Sequence, residues 1–145
     1  MTATEFISLM QSRGATIYPA ATPRDMELAN TGLRIRRYAM LPREIRELYA
    51  IAAGVSLDAG YIFPPAEIVR PRNYPIPSII AINDYMKGVS GPLDGKTIFG
   101  RNDLFFFAFD AFGAFYMLDL LSLRPLRKYD DGWRAMSDCL MGGRF

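Results

Sequence analysis

The chain has no histidine and only one cysteine, Cys139. Those two shortages exclude whole classes of chemistry. A zinc-type site needs Cys and His clustered at short spacing, and the chain cannot supply them. A Ser–His or Cys–His nucleophile is excluded for the same reason. Any acid–base chemistry falls to carboxylates, lysine or tyrosine. One cysteine closes no internal disulfide, so nothing points to an oxidising compartment. Long apolar runs are missing too. Leu104–Phe109 and Ala111–Leu118 fall far short of the ~20 residues that a membrane span needs. Residues 1–10 show no basic start followed by a long apolar stretch, unlike a signal peptide. The expected location is therefore cytoplasmic, with no membrane partner. Strong charge of one sign is also lacking. Net charge is +2 and the pI about 8.8, whereas nucleic-acid binders usually concentrate basic residues on one face. The densest basic stretch is Arg34, Arg36, Arg37, Arg43 and Arg46, interrupted by Glu44 and Glu47. It reads as a solvated helix face and its approach, not a phosphate-tracking patch.

What is present is an ordinary globular composition: 145 residues, 50% hydrophobic and 22% charged. That length predicts one domain over 1–145. A chain of this size buries about 68–70% of its unfolded surface. It needs no disulfide, metal or cofactor to hold a core, and none is expected.

Thr2 and Glu5 are spaced as a capping box, predicting a helix over about 3–13 with Gly14 as its stop. Arg24–Ala29 predicts a second short helix ended by Asn30-Thr31-Gly32. Leu33, Ile35 and Tyr38 then read as an extended segment. Ile45, Leu48, Tyr49 and Ala52 make an i, i+3, i+4, i+7 stripe, a helix with Pro42 at its first position and Gly54 after it. Residues 55–103 hold many prolines and glycines and read as mostly irregular. Tyr61-Ile62-Phe63 is a candidate strand, and Ile76–Met86 is a strand or a helix. Thr97 opens a strand-rich region. Leu104–Phe109 and Phe115–Leu120 flank Asp110-Ala111-Phe112-Gly113 and predict a hairpin. Leu123–Tyr129 adds a strand. Asp130 or Asp131 caps a last helix with Trp133, Met136 and Leu140 on one face, ended by Gly142-Gly143. This order predicts an α+β domain whose antiparallel β-sheet has helices packed around it.

Three groups of residues invite chemistry. Ser90-Gly91-Pro92-Leu93-Asp94-Gly95-Lys96-Thr97 nearly copies a phosphate-binding loop, but Ser90 stands where glycine is required. Strand signals also follow it where a helix should, so a turn with exposed Lys96 is expected. Asp103, Asp110 and Asp119 flank the aromatic strands. Paired carboxylates serve hydrolysis only when held a few ångströms apart, and nothing in the spacing sets that. The dense aromatics Phe105, Phe106, Phe107, Phe109, Phe112, Phe115 and Tyr116 lack interleaved Lys or Arg, so core packing is expected instead of base stacking. Cys139 reads as a small buried hydrophobe.

The order of these signals resembles the SUKH superfamily, the Smi/Knr-like domains. Leu41-Pro42-Arg43-Glu44-Ile45-Arg46-Glu47-Leu48-Tyr49 with Gly54 is similar to its LP-to-Tyr helix. Ile62-Phe63-Pro64, with Glu67-Ile68 after it, is similar to its I-x-P segment. Phe107-Ala108-Phe109-Asp110, Gly113 and Tyr116 match its strand pair, and a closing helix follows. Ala53-Gly54 stands where the family often has Asn-Gly, a nearby tryptophan is absent, and residues 70–96 diverge. The resemblance implies a sheet wrapped by helices and a protein-binding role. Many bacterial members are immunity proteins that bind and block a cognate toxin. Such inhibitors are often acidic and this chain is slightly basic, which points to an acidic or non-nuclease toxin.

An immunity-type protein with a toxin-domain partner is thus the first expectation. Its contact surface falls in 70–96, where prolines pre-stiffen loops and lower the entropy cost of binding. Arg70, Arg72, Tyr74, Tyr85 and Lys87 are candidate contacts of types that interfaces favour. A regulatory or scaffold module without a toxin partner is the second expectation. A small carboxylate enzyme is the third, and it requires Asp103, Asp110 or Lys96 to line a concave pocket with perturbed pKa values.

Overall fold

A computed structural model describes residues 1–91 and 93–142. The element order is α1 (Ala3–Ser12), β1 (Thr16–Ile17), α2 (Pro23–Ile35), α3 (Arg43–Tyr49), β2 (Val55–Leu57), β3 (Gly60–Ile62), α4 (Ile79–Ser90), β4 (Thr97–Arg101), β5 (Phe105–Phe109), β6 (Phe115–Asp119), β7 (Pro125–Tyr129) and α5 (Gly132–Met141). The described strands form one seven-stranded sheet in sequence order. Every neighbouring pair is antiparallel. The class is α+β.

Local chemistry sets the helix starts. Thr2 and Glu5 bond each other's backbone N–H at 3.1 and 3.2 Å and open α1. Thr22, Ser78 and Asp131 cap α2, α4 and α5 with side-chain oxygens. Pro42 stands one place earlier than expected, at the cap of α3, where its missing N–H costs nothing.

Two expectations fail at α2: its stop, and the extended segment from Leu33 to Ile35. Asn30-Thr31-Gly32 does not end α2, which runs on through Leu33 and Ile35. The Asn30 side chain accepts from Leu41 N–H at 3.1 Å instead of capping. A Cβ on Gly32 would meet Ile80 of α4 at 3.0 Å, so the glycine serves helix contact. Ile76–Met86, which reads as strand or helix, is the approach to α4 and its first two turns, so a helix stands in the middle of the 70–96 region.

The helix α5 lies on one face of the sheet so closely that side chains beneath it are excluded. A Cβ on Gly100 would stand 2.7 Å from Tyr61 O and 2.9 Å from Cys139 Sγ; one on Gly60 would stand 2.8 Å from Cys139 O. Successive strand residues point to opposite faces. Gly100 faces α5, so Arg101 and its cross-strand partner Tyr61 face the other way. On that second face lie α4 and the 70–77 loop. Coverage from both sides explains the unbroken apolar run in β5. Phe99, Phe107, Phe109 and Phe115 pack ring against ring with centroids 5.6–6.4 Å apart. Phe112 is the exception to the expected aromatic core: it sits at the hairpin tip and is 94% exposed. At the sheet's far edge, Tyr129 and Arg127 both donate to Asp138 Oδ2 of α5, tying β7 down.

Candidate functional site

The site begins where the sheet runs out of donors. Phe63 N–H still bonds Phe99 O at 2.8 Å. Pro64 and Pro65 then have no N–H, so the chain cannot go on pairing with β4. Ile98 would be left with an unpaired N–H and C=O inside the core. The Asn83 side chain of α4 fills the gap: its Oδ1 accepts from Ile98 N–H, and its Nδ2 donates to Ile98 O, both at 2.8 Å. A third bond runs to Ile79 O at 2.8 Å, and the residue is fully buried. One amide thus replaces a stretch of strand and sets α4 on the sheet. Tyr49 of α3 reinforces the same corner, donating to Phe63 O at 2.6 Å. Burial pushes that hydroxyl's pKa up.

The excursion from Val69 to Pro75 is closed by a bridge between Ile68 and Ile76, with N···O distances of 3.0 and 2.9 Å. Arg70 folds back over it, donating from Nε and Nη2 to Tyr74 O at 2.9 and 2.7 Å. Between this loop, α4 and β3–β4 lies an open groove of about 410 Å³. Its floor includes Tyr61, Phe63, Ile76 and Ile82; Arg70, Tyr74, Arg101 and Asp103 stand around it. Tyr85 and Val89 follow Ile82 at i+3 and i+7, on the same flank of α4. Tyr74, Tyr85 and Val89 are 89%, 65% and 61% exposed.

The predicted contacts are thus partly brought together. Arg70 and Tyr74 line the groove; Tyr85 does not, and stands a turn past Ile82 on the same flank of α4. Arg72, at the loop tip with φ 60°, does not line it. Lys87 lies on the opposite flank of α4, its Nζ 5.7 Å from the Tyr38 ring. There it joins Arg36, Arg37 and Lys96 around a second hollow of about 310 Å³. The cations of that hollow have a local cause. Both α2 and α4 end beside it, and positive charge complements helix C-termini. Arg36 Nη1 donates to Gly32 O at 3.1 Å, and its Nε pairs with Asp84 at 2.9 Å. Tyr38 also donates to Asp84, at 2.8 Å. Burial, with that bond, raises the Tyr38 pKa to about 12. An anion in this hollow would face two sets of helix-end carbonyls.

The phosphate-loop look-alike is a connection from α4 to β4, so its element order is the reverse of a phosphate-binding loop's. Pro92 within it lies outside the described residues, as does the predicted stop Gly143. Lys96 is half-buried, not exposed, with Nζ 5.1 Å from the Tyr116 ring. The aspartates hold turns. Asp110 accepts from Phe112 N–H, Ala114 N–H and Tyr116 Oη at 2.8, 3.0 and 2.8 Å. Burial raises its pKa, but those bonds outweigh burial and leave it below the usual carboxylate value. Asp119 accepts from Leu121 and Ser122 N–H, and the Ser122 bond leads in lowering its pKa. Asp103 lies at the other end of β5 from Asp110 and alone of the three lines the groove. Among the described residues, no three His, Cys, Asp or Glu side chains group to hold a metal. No described helix is long and apolar enough to cross a membrane.

Arg101 is the groove residue the sequence did not single out. Only the register that pairs it with Tyr61 places it there. Comparison with known proteins returned nothing: no protein-family model, curated protein or solved structure matches the chain.

Proposed function

We propose that the chain is a non-catalytic, SUKH-like protein-binding domain that acts as an immunity protein, binding and neutralising a cognate toxin. The observation that carries it is the groove and the surface beside it: Tyr74 stands in solvent over an apolar floor, and Tyr85 and Val89 continue the exposed flank of α4 beyond Ile82. Exposed apolar groups clustered at a concavity mark interaction surfaces, and tyrosine and arginine are the side chains that most often dominate them. The residues that carry the resemblance have roles suited to a shared frame. Tyr49 of the LP helix bonds Phe63 of the I-x-P segment, and Asp110 closes the hairpin that holds Tyr116.

The test is capture of the tagged chain's partner from its own source lysate, beside a Tyr74→Ala/Tyr85→Ala variant, followed by co-expression. A stoichiometric partner that kills cells alone, spares them with the wild-type chain and binds the variant about 30-fold or more weaker is expected, from about 2 kcal/mol at a buried interface tyrosine. A partner without toxicity, or one held equally by the variant, would sink the proposal and favour a scaffold role.

A further inference from the structure

Tyr61 and Arg101 are cross-strand partners, so their side chains leave the sheet side by side. Arg70 comes to the same place from the loop, its guanidinium carbon 5.4 Å from the Tyr61 ring centroid. The Arg101 guanidinium carbon lies 5.2 Å from the Phe106 ring centroid. Two guanidinia therefore converge on one apolar groove, each laid on an aromatic face. Each is also steadied by a carbonyl: Arg70 by Tyr74 O, and Arg101 Nε by Asn102 O at 3.3 Å. Neither has a carboxylate within ion-pair distance among the described residues. Arg70 Nη1 and both Arg101 terminal nitrogens make no described hydrogen bond. A fixed guanidinium fork with spare donors suits a planar carboxylate. The start of α4 adds nothing to this, because Ile79 and Ala81 N–H are taken by Pro64 O and Ser78 Oγ.

We propose that the groove clamps an acidic segment of the partner protein. One Asp or Glu carboxylate sits between Arg70 and Arg101, and an adjacent apolar side chain lies on the Phe63–Ile76–Ile82 floor. This rests on the protein-binding reading of the same surface and names the chemistry that the surface selects. Asp103, at the groove's edge, opposes the incoming carboxylate and limits the clamp to one negative charge.

The test is selection of a random dodecapeptide phage library on the wild-type chain. Enriched peptides are expected to carry Asp or Glu within two positions of an aromatic or aliphatic residue. Replacing that acid by its amide, or Arg101 by Gln, should weaken binding about tenfold or more. Arg101→Gln carries the test because Arg70→Gln also frees the loop; an unchanged melting temperature shows that the variant is folded. Asp103→Asn should tighten binding several-fold. Failure to enrich any peptide, enrichment of peptides without acids, or equal binding to Arg101→Gln would each overturn the clamp. The two proposals fail separately. A toxin captured regardless of Arg101 removes the clamp and leaves the inhibitor; acidic peptides held through Arg101, with no toxin found, do the reverse.

Discussion

Replacing Asn83 tests whether one side chain stands in for a strand. Asn83→Leu keeps the size and removes the polar groups. It leaves Ile98 N–H and C=O without partners in a fully buried setting. Each orphaned group costs about 1–3 kcal/mol, so the pair costs about 2–6 kcal/mol, partly offset by the apolar replacement. Native domains hold only about 5–15 kcal/mol in all, so the change is large. Trp133 is the only tryptophan and is buried against Phe6 at 5.4 Å, which makes its fluorescence a direct unfolding probe. With a urea slope of about 2 kcal/mol per molar, a loss of about 3 kcal/mol moves the midpoint by about 1.5 M. Asn83→Asp sharpens the test. Ionised, the new side chain keeps the acceptor for Ile98 N–H but sets a carboxylate against Ile98 O and Ile79 O. Its folded pKa is then raised, so its penalty is full at neutral pH and shrinks as pH falls towards the ordinary carboxylate value. Once protonated, the introduced carboxyl regains a donor. The difference from wild type should therefore narrow on acidification for Asn83→Asp and stay constant for Asn83→Leu. A midpoint shift below about 0.3 M in Asn83→Leu, or no pH dependence in Asn83→Asp, would refute the surrogate-strand account.

Three further outcomes follow from the packing. Burial pushes the Cys139 thiol up, with only a weak contact from Sγ to Tyr61 O at 3.5 Å; a chromogenic disulfide should label it only after denaturation, and prompt labelling in native buffer would contradict its burial. Gly100→Ala places a Cβ against backbone and sulfur under α5 and should cost about 1–3 kcal/mol in thermal or urea unfolding; unchanged stability would mean that α5 sits farther out. The raised pKa of Tyr38 favours the folded state fully below pH 10 and loses that effect as pH climbs from 10 through about 12. The stability gap between wild type and Tyr38→Phe should shrink over that window, and a gap constant to pH 12 would contradict a hydroxyl held up by burial and the Asp84 bond.

The parts of the fold that were legible in the sequence are those whose signals are local. Thr2 with Glu5 announces α1, and two apolar runs around Asp110 to Gly113 announce the β5–β6 hairpin, because cap and turn chemistry act within a few residues. Where distant packing decides, the local signal misleads. Gly32 looks like a helix stop, yet the approach of Ile80 gives it a place inside α2. Ile76–Met86 reads equally as strand or helix, since α4 buries Ile79, Asn83 and Met86 and leaves Ile82 half-covered by the groove. The polar Asn83 looks like an interruption of an apolar run, and its partner is fifteen positions away.

The candidate surface divides in the same way. Arg70 and Tyr74 stand out in the sequence by residue type in a proline-rich stretch, and the structure places both at the groove. Lys87, on the same helix as Tyr85, belongs to the other flank, where it answers helix ends and a tyrosine ring. Arg101 carries no local mark at all; the antiparallel register with β3 brings it beside Tyr61 and so beside Arg70. The residues that carry the family resemblance, Tyr49, Phe63, Asp110 and Tyr116, are all bonded into the frame. Those that ring the groove, Arg70, Tyr74 and Arg101, lie outside those motifs. On the protein-binding proposal, choice of partner would rest on side chains that those motifs do not include. Changing Tyr74 or Arg101 should alter binding and leave stability intact, whereas changing Tyr49 or Asn83 should lower stability first.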